Sequence, residues 1–182
     1  MRLFVGIPLE SSQVHELIRL TERLRSAADL RWSAPEFWHI TLQFLGNTSA
    51  EQYDGLIGAL REVRGTRVPV QLGGLGIFEH AGILYAEVEL NAQLVALQKK
   101  IVAATSLCGF IAETRPYRPH ITLARSRGRA DGRELRALKE RMPSAPAFSR
   151  FTASEFLLYE SRLSSTGSSY EVRQRFSLTD VS

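Results

Sequence analysis

The tetrapeptide His-Ile-Thr-Leu occurs twice, as His39-Ile40-Thr41-Leu42 and as His120-Ile121-Thr122-Leu123. The copies start 81 residues apart in a chain of 182. Each reads as strand, and in a strand residues two apart share a face. Each copy therefore presents an imidazole and a hydroxyl on the face opposite its Ile and Leu. A single copy is what any strand with a polar face can carry. Two copies, at two of only 4 histidines, constrain the chain far more. Their spacing points to two similar lobes, each able to send one proton-transfer group and one hydrogen-bond donor toward a shared pocket. Such a pair can hold a phosphate between a base and an acid.

The rest of the pattern is mixed. Arg2 to Pro8 reads as a first strand. Ser11 or Ser12 is placed to cap a helix with the apolar stripe Val14, Leu17, Ile18 and Leu24. Leu30 to Trp32 is a short extended piece, and Pro35 marks a turn. In the strand from Trp38 to Phe44, alternation places Trp38, Ile40, Leu42 and Phe44 on one face. His39, Thr41 and Gln43 take the other. Ser49 and Gln52 form a capping-box pattern before a helix with Tyr53, Leu56, Ile57 and Leu60. Val68 to Phe78 and Ile83 to Leu90 read as a hairpin around His80-Ala81-Gly82. A third helix starts near Asn91, with Leu94, Leu97 and Ile101 as its stripe.

Pro116 and Pro119 precede the second motif strand, His120 to Ala124. Asp131 is placed to cap a short helix bearing Leu135 and Leu138, which Pro143 and Pro146 end. Phe151 to Tyr159 and Tyr170 to Leu178 are closing strands, with a polar loop from Ser161 to Ser169. This order predicts an α+β fold. Gly73-Gly74-x-Gly76 lies in a strand pattern without the context of a nucleotide loop. It reads as a bulge or a close backbone approach.

Composition excludes several classes. No run of about 18 apolar residues predicts a membrane span, and the N-terminal apolar stretch is too short for a signal peptide. The 1 cysteine, Cys108, cannot form an internal disulfide or a thiolate metal site and reads as a small buried hydrophobe in a reducing cytoplasm. The net charge of +4 suits a polyanionic ligand without requiring one. Much of it gathers near the second motif, at Arg115, Arg118, Arg125, Arg127, Arg129 and Arg133. His15 reads as a surface residue beside its helix stripe, and His80 as a turn residue. Asp54 and Glu51 read as a solvated helix face. Phe4, Trp32, Trp38, Phe44 and Tyr117 are candidates to stack on a base, although alternation turns Trp38 and Phe44 away from His39 toward the core.

The two motifs resemble the His-x-Thr-x pair of the 2H phosphoesterase superfamily. The flanking segments narrow the likeness. Arg2-Leu3-Phe4-Val5-Gly6-Ile7, Trp38 to Gly46, Arg118-Pro119-His120-Ile121-Thr122-Leu123-Ala124-Arg125 and Leu158 to Leu163 resemble the RNA 2′,3′-cyclic phosphodiesterase family, also called the 2′-5′ RNA ligase family. The resemblance spans essentially the whole chain. It implies a single bilobal domain over residues 1–182, with antiparallel-rich sheets and flanking helices around a central cleft, related by a pseudo-two-fold axis. It implies hydrolysis of RNA 2′,3′-cyclic phosphate ends to 2′-phosphates, possible reversible 2′-5′ ligation, and no metal or cofactor. It makes His39 the proton donor and His120 the proton acceptor, with Thr41, Thr122 and Arg125 on the phosphate. The expected partners are RNA with a cyclic phosphate end or a small cyclic nucleotide, for a monomer without membrane attachment. Two alternatives stay open. One is a phosphodiesterase for small cyclic nucleotides or 2′-5′ oligonucleotides. The other is a non-catalytic RNA-binding module.

Overall fold

The computed structural model describes residues 1–127, 133–142, 147–164 and 167–180. The readings at Arg129, Asp131, Pro143 and Pro146 lie outside the described residues. Two antiparallel four-stranded sheets form the frame. The first takes β1 (Arg2–Pro8), β3 (His39–Asn47), β9 (Glu155–Ser164) and β10 (Gly167–Ser177) in the order β10-β9-β1-β3. The second takes β2 (Leu30–Trp32), β5 (Leu72–Phe78), β6 (Ile83–Val88) and β7 (His120–Ser126) in the order β2-β7-β6-β5. A ribbon of β4 (Val68–Val70) and β8 (Phe151–Ala153) stands apart. The expected hairpin is therefore shorter than its apolar run. Val68 to Val70 leaves it to pair with Phe151 to Ala153.

Among the described residues four α-helices accompany the sheets: α1 (Ser11–Arg25), α2 (Ala50–Arg61), α3 (Ala92–Ser106) and α4 (Arg133–Lys139). The capping box of α2 forms as read: Gln52 N–H donates to Ser49 Oγ, and Ser49 N–H to Gln52 Oε1. Asn91 caps α3 by accepting from Leu94 N–H at 2.9 Å. Helix α1 departs from expectation. Its N-cap is Glu10, without a side-chain cap bond, and Ser11 and Ser12 lie inside the first turn. Beside its apolar stripe it buries Gln13, whose amide donates to the carbonyl of Ser149 at 3.0 Å. That partner is remote in sequence, so the stripe gave no sign of it.

One cluster of buried apolar side chains runs through both sheets and all four helices, from Leu3, Val5 and Ile7 through Ile40, Ile101 and Ile121 to Leu138. Cys108 is half-buried and packs against it. The polar loop expected from Ser161 to Ser169 is largely part of the β9–β10 ladder. Residues 161–164 and 167–169 are paired strand. Arg162 meets Glu171 at 2.6 Å across that ladder, so alternating charge rather than apolar burial lines its end. No helix among the described residues is long and apolar enough to cross a membrane.

Helix α3 packs against β3, and a polar pair sits at the contact. The Thr105 hydroxyl donates to Gln43 Oε1 at 2.8 Å, and both residues are buried. Replacing Thr105 by Val keeps the shape and orphans that carbonyl. Burying an unpaired polar group costs about 1–3 kcal/mol. Urea unfolding of T105V should show a loss in that range, and wild-type stability would remove the contact's importance.

Candidate active site

The two motif strands share a departure from regular pairing. In β3, Thr41 pairs with Gly6 and Gln43 with Val5, which leaves Leu42 as an extra residue. In β7, Thr122 pairs with Tyr85 and Ala124 with Leu84, which leaves Leu123 extra. A β-bulge turns two consecutive side chains the same way and shifts the alternation that follows. Leu42 and Gln43 are accordingly both buried, as are Leu123 and Ala124. The next residue in each strand, Phe44 or Arg125, then returns to the face of the histidine.

This overturns the reading of Phe44 as core. It is 65% exposed, and its ring lies 6.1 Å from that of Phe4, on the His39 side of the sheet. Regular alternation would have sent Arg125 away from His120. The bulge instead brings it near enough for its charge to lower the basicity of His120. Phe44 and Arg125 are thus matched positions of the two lobes. Trp38 is core as expected, while Phe4 is buried and not free to stack on a ligand. Trp32 is partly covered by Arg25, whose guanidinium lies 5.2 Å from its ring centre.

Both imidazoles are held in the same way. His39 Nδ1–H donates to the Phe37 carbonyl at 2.8 Å, and His120 Nδ1–H to the Arg118 carbonyl at 2.7 Å. In each case the acceptor lies two residues upstream. These bonds fix the tautomer and leave Nε2 as the group that exchanges a proton. Around the neutral His39 ring, the Thr41 hydroxyl donates to Nε2 at 3.1 Å. Tyr117 reaches across from the segment before β7, its hydroxyl donating to the Thr41 carbonyl at 3.0 Å.

The surroundings of the two rings differ. His39 sits among Phe4, Tyr159 and Tyr170, with ring centres at 4.5, 5.6 and 5.2 Å. Gly6 lets the ring approach β1, because a Cβ there would stand 2.9 Å from the Ile40 carbonyl and 3.3 Å from His39 Cδ2. Burial pulls the His39 pKa down to about 4, the bond to Phe37 opposes this, and a charge on His120 lowers it further. His120 packs against the edges of Phe78 and Tyr85 at 5.0 and 5.5 Å. Its pKa is also lowered, by burial first. The Arg118 carbonyl bond opposes that shift, and the charges of Arg118 and Arg125 add to it.

The fold thus brings together His39, His120, Thr41 and Thr122, with Arg125 beside His120. His15 and His80 lie on the surface, as do Glu51 and Asp54. The aromatic partners of both rings escaped the sequence reading, because they come from β1, β5, β6, β9 and β10. One signal was available in the glycine cluster. The β5 register slips between Leu72 and Leu75, and a Cβ on Gly76 would run into the Tyr85 ring that lines His120. Both expected roles, bulge and close approach, are filled. No group of three His, Cys, Asp or Glu side chains suited to a metal occurs among the described residues.

A profile of the 2′-5′ RNA ligase superfamily matches residues 8–164. An RNA 2′,3′-cyclic phosphodiesterase of Bacillus subtilis is 30% identical over 134 residues, covering 71% of this chain and 73% of that protein. Another of the same description, from Aquifex aeolicus, is 28% identical over an alignment of 189 residues, covering 98% and 97%. Among solved structures, the E. coli LigT complex with 3′-AMP superposes with a TM-score of 0.82 at 24% identity, covering 98% of each chain. That likeness establishes the fold.

The lowered pKa of His39 has a consequence for stability. The folded value of about 4 lies below the ordinary 6.5, so between them the unfolded chain binds more protons. The stabilisation is complete above about pH 6.5 and is lost as pH falls toward 4. Urea unfolding at pH 7 and pH 5 should show wild type weakened at pH 5, and His39→Gln weakened less. An equal drop in both proteins would rule out His39 as the source.

Proposed function

This chain belongs to the 2′-5′ RNA ligase superfamily, and from that membership and its paired histidines we propose that it hydrolyses RNA 2′,3′-cyclic phosphate ends to 2′-phosphates. The observation that carries the reading is the matched presentation of two imidazoles. Each has its Nδ1 proton tied to a carbonyl, and each lies on the face of a threonine hydroxyl. They are near enough that the charge of one lowers the basicity of the other. The relatives described as RNA 2′,3′-cyclic phosphodiesterases support the same substrate. Residues 1–182 are read as one bilobal domain.

Opening the cyclic ester needs in-line attack, with water and the departing ribose oxygen on opposite sides of phosphorus. In the proposed mechanism His120 takes the water proton through Nε2, and the P–O3′ bond breaks. Protonated His39 gives its Nε2 proton to O3′, leaving phosphate on O2′. Thr41 and Thr122 donate to the non-bridging oxygens, and Arg125 offsets their charge. Phe44, matched to Arg125 across the pseudo-two-fold axis, is placed to stack on the base of the reacting nucleotide. Each proton transfer is worth about 10² to 10⁴ in rate.

The test uses RNA ending in a 2′,3′-cyclic phosphate, in the presence of a chelator. Turnover should persist and yield a 2′-phosphate. His39→Ala and His120→Ala should each lose about 10² or more in turnover while staying folded. Thr41→Ala and Thr122→Ala should lose less, since each removes one contact of several. Turnover restored only by a divalent ion would end the metal-free mechanism, and a 3′-phosphate product would reverse the regiochemistry. An RNA-binding module without activity would keep its RNA affinity in both histidine variants and turn nothing over.

The proposed donor is the more deeply depressed histidine, so the free site is mostly neutral at pH 7 and protonation must accompany binding. An anionic phosphate between the rings favours their charged forms and raises both pKa values. The kcat profile, which reports the bound complex, should therefore be a bell lying at higher pH than the kcat/KM profile, with apparent pKa values belonging to the pair. Coincident bells would show that the phosphate does not contact the histidines.

A further inference from the structure

Beyond His120 the second sheet carries a groove of about 180 Å³, lined by Gly73, Phe78, Tyr85, Glu87, Arg118 and His120. This is room for several waters, each of which occupies about 30 Å³ in the liquid. We propose that the groove binds the ribonucleoside whose 5′-oxygen enters or leaves when the protein makes or breaks a 2′-5′ phosphodiester. The proposal rests on the two-histidine reading above and extends it from a water nucleophile to a ribose hydroxyl.

Its place argues for this. Strand β3, which carries His39, packs against β7, whereas the groove extends from His120 over β6 and β5. It therefore lies on the side of His120 away from His39. In-line chemistry puts the entering and leaving oxygens on opposite sides of phosphorus. With His39 serving O3′, the reacting ribose lies toward the first lobe, and whatever occupies the opposite apical position comes from the groove.

Its chemistry fits a ribonucleoside. Glu87 pairs with His120 in the β6–β7 register, is exposed, and meets no cation within ion-pair distance among the described residues. An ionised carboxylate only accepts hydrogen bonds, and the vicinal hydroxyls of a ribose are two adjacent donors. Carboxylates recognise ribose in this way in dinucleotide-binding folds. The Arg118 guanidinium lies 5.1 Å from the Phe78 ring centre, and its Nη2 donates to the Tyr85 hydroxyl at 3.4 Å. One face of the guanidinium is thus held by an aromatic ring, and the other is left for a nucleobase. Gly73 keeps the floor open, because a Cβ there would press on Glu87 Cβ at 3.3 Å. Glu89 at the outer end repels phosphate, which favours a terminal nucleoside over a continuing strand.

The bonds balance without a co-reactant. In cleavage, O3′ attacks phosphorus and its proton passes to His39, the P–O5′ bond breaks, and protonated His120 supplies the proton to O5′. Ligation is the reverse.

The experiment compares two reactions of the full chain: hydrolysis of RNA ending in a 2′,3′-cyclic phosphate, and cleavage of a 2′-5′-linked diribonucleotide. Glu87→Ala should lower kcat/KM for diribonucleotide cleavage about tenfold more than for hydrolysis, the scale of a lost hydrogen bond to a charged group. A diribonucleotide whose leaving nucleoside is 2′,3′-dideoxy should cost wild type a similar factor and cost E87A nothing further. Equal losses in both reactions, no loss in either, or a dideoxy penalty that persists in E87A would overturn the proposal. So would a wild-type protein that hydrolyses cyclic phosphates and leaves the diribonucleotide intact. A wild-type protein that fails to hydrolyse the cyclic phosphate would instead remove the functional reading on which the groove rests.

Discussion

Leu42 and Leu123, each an extra residue opposite a shorter neighbouring strand, set the phase on which the site depends. A strand's side chains alternate, so a shift of one residue moves every later side chain to the other face. Before the bulge, His39 and Thr41 or His120 and Thr122 face the cleft. After it, Phe44 and Arg125 do so as well. Unbroken alternation would have sent the guanidinium toward the core and exposed Gln43 and Ala124. A single irregularity, repeated in both lobes, thus converts a motif of two polar groups into a face of three.

The lobes then diverge around this shared frame. The first surrounds His39 with Phe4, Tyr159 and Tyr170, so the ring loses water and its charged form is disfavoured. The second surrounds His120 with Arg118 and Arg125 as well as Phe78 and Tyr85. In both, the protonated ring is unfavourable until a negative charge arrives. This couples protonation to the binding of an anion, which a phosphodiester supplies. The same depression makes the site a source of instability at low pH, a cost that comes with holding two partly buried imidazoles near each other.

Polar contacts tie remote parts of the chain to the first motif strand. Tyr117 links the segment before β7 to the Thr41 carbonyl, and Thr105 ties α3 to Gln43 on β3. Both sit next to the first motif strand, so the position of His39 depends on chain far from it in sequence. Gly6 and Gly76 act on the opposite principle. Their missing side chains let His39 approach β1 and Tyr85 lie across β5. The glycine cluster of β5 therefore belongs to the scaffold of the second histidine, and its open floor runs into the groove beyond.

The sequence by itself determined the repeated motif, the strands that carry it, the α+β class, the capping box of α2 and the start of α3, because these follow from local periodicity and nearby hydrogen bonds. The shared face of His39 with Thr41 and of His120 with Thr122 was legible for that reason, as was the close approach of the glycines in β5. The face of Phe44 was misread, since a bulge is a property of pairing with β1 and leaves no mark on the alternation of β3 alone. The departure of Val68–Val70 from its hairpin, the extension of β9 and β10, and the burial of Gln13 likewise depended on partners remote in the chain. Only the tertiary structure decided which aromatic rings enclose each histidine and hence how far each pKa falls. Burial and neighbouring charge are set by what the fold brings near a group, and adjacent residues do not encode them.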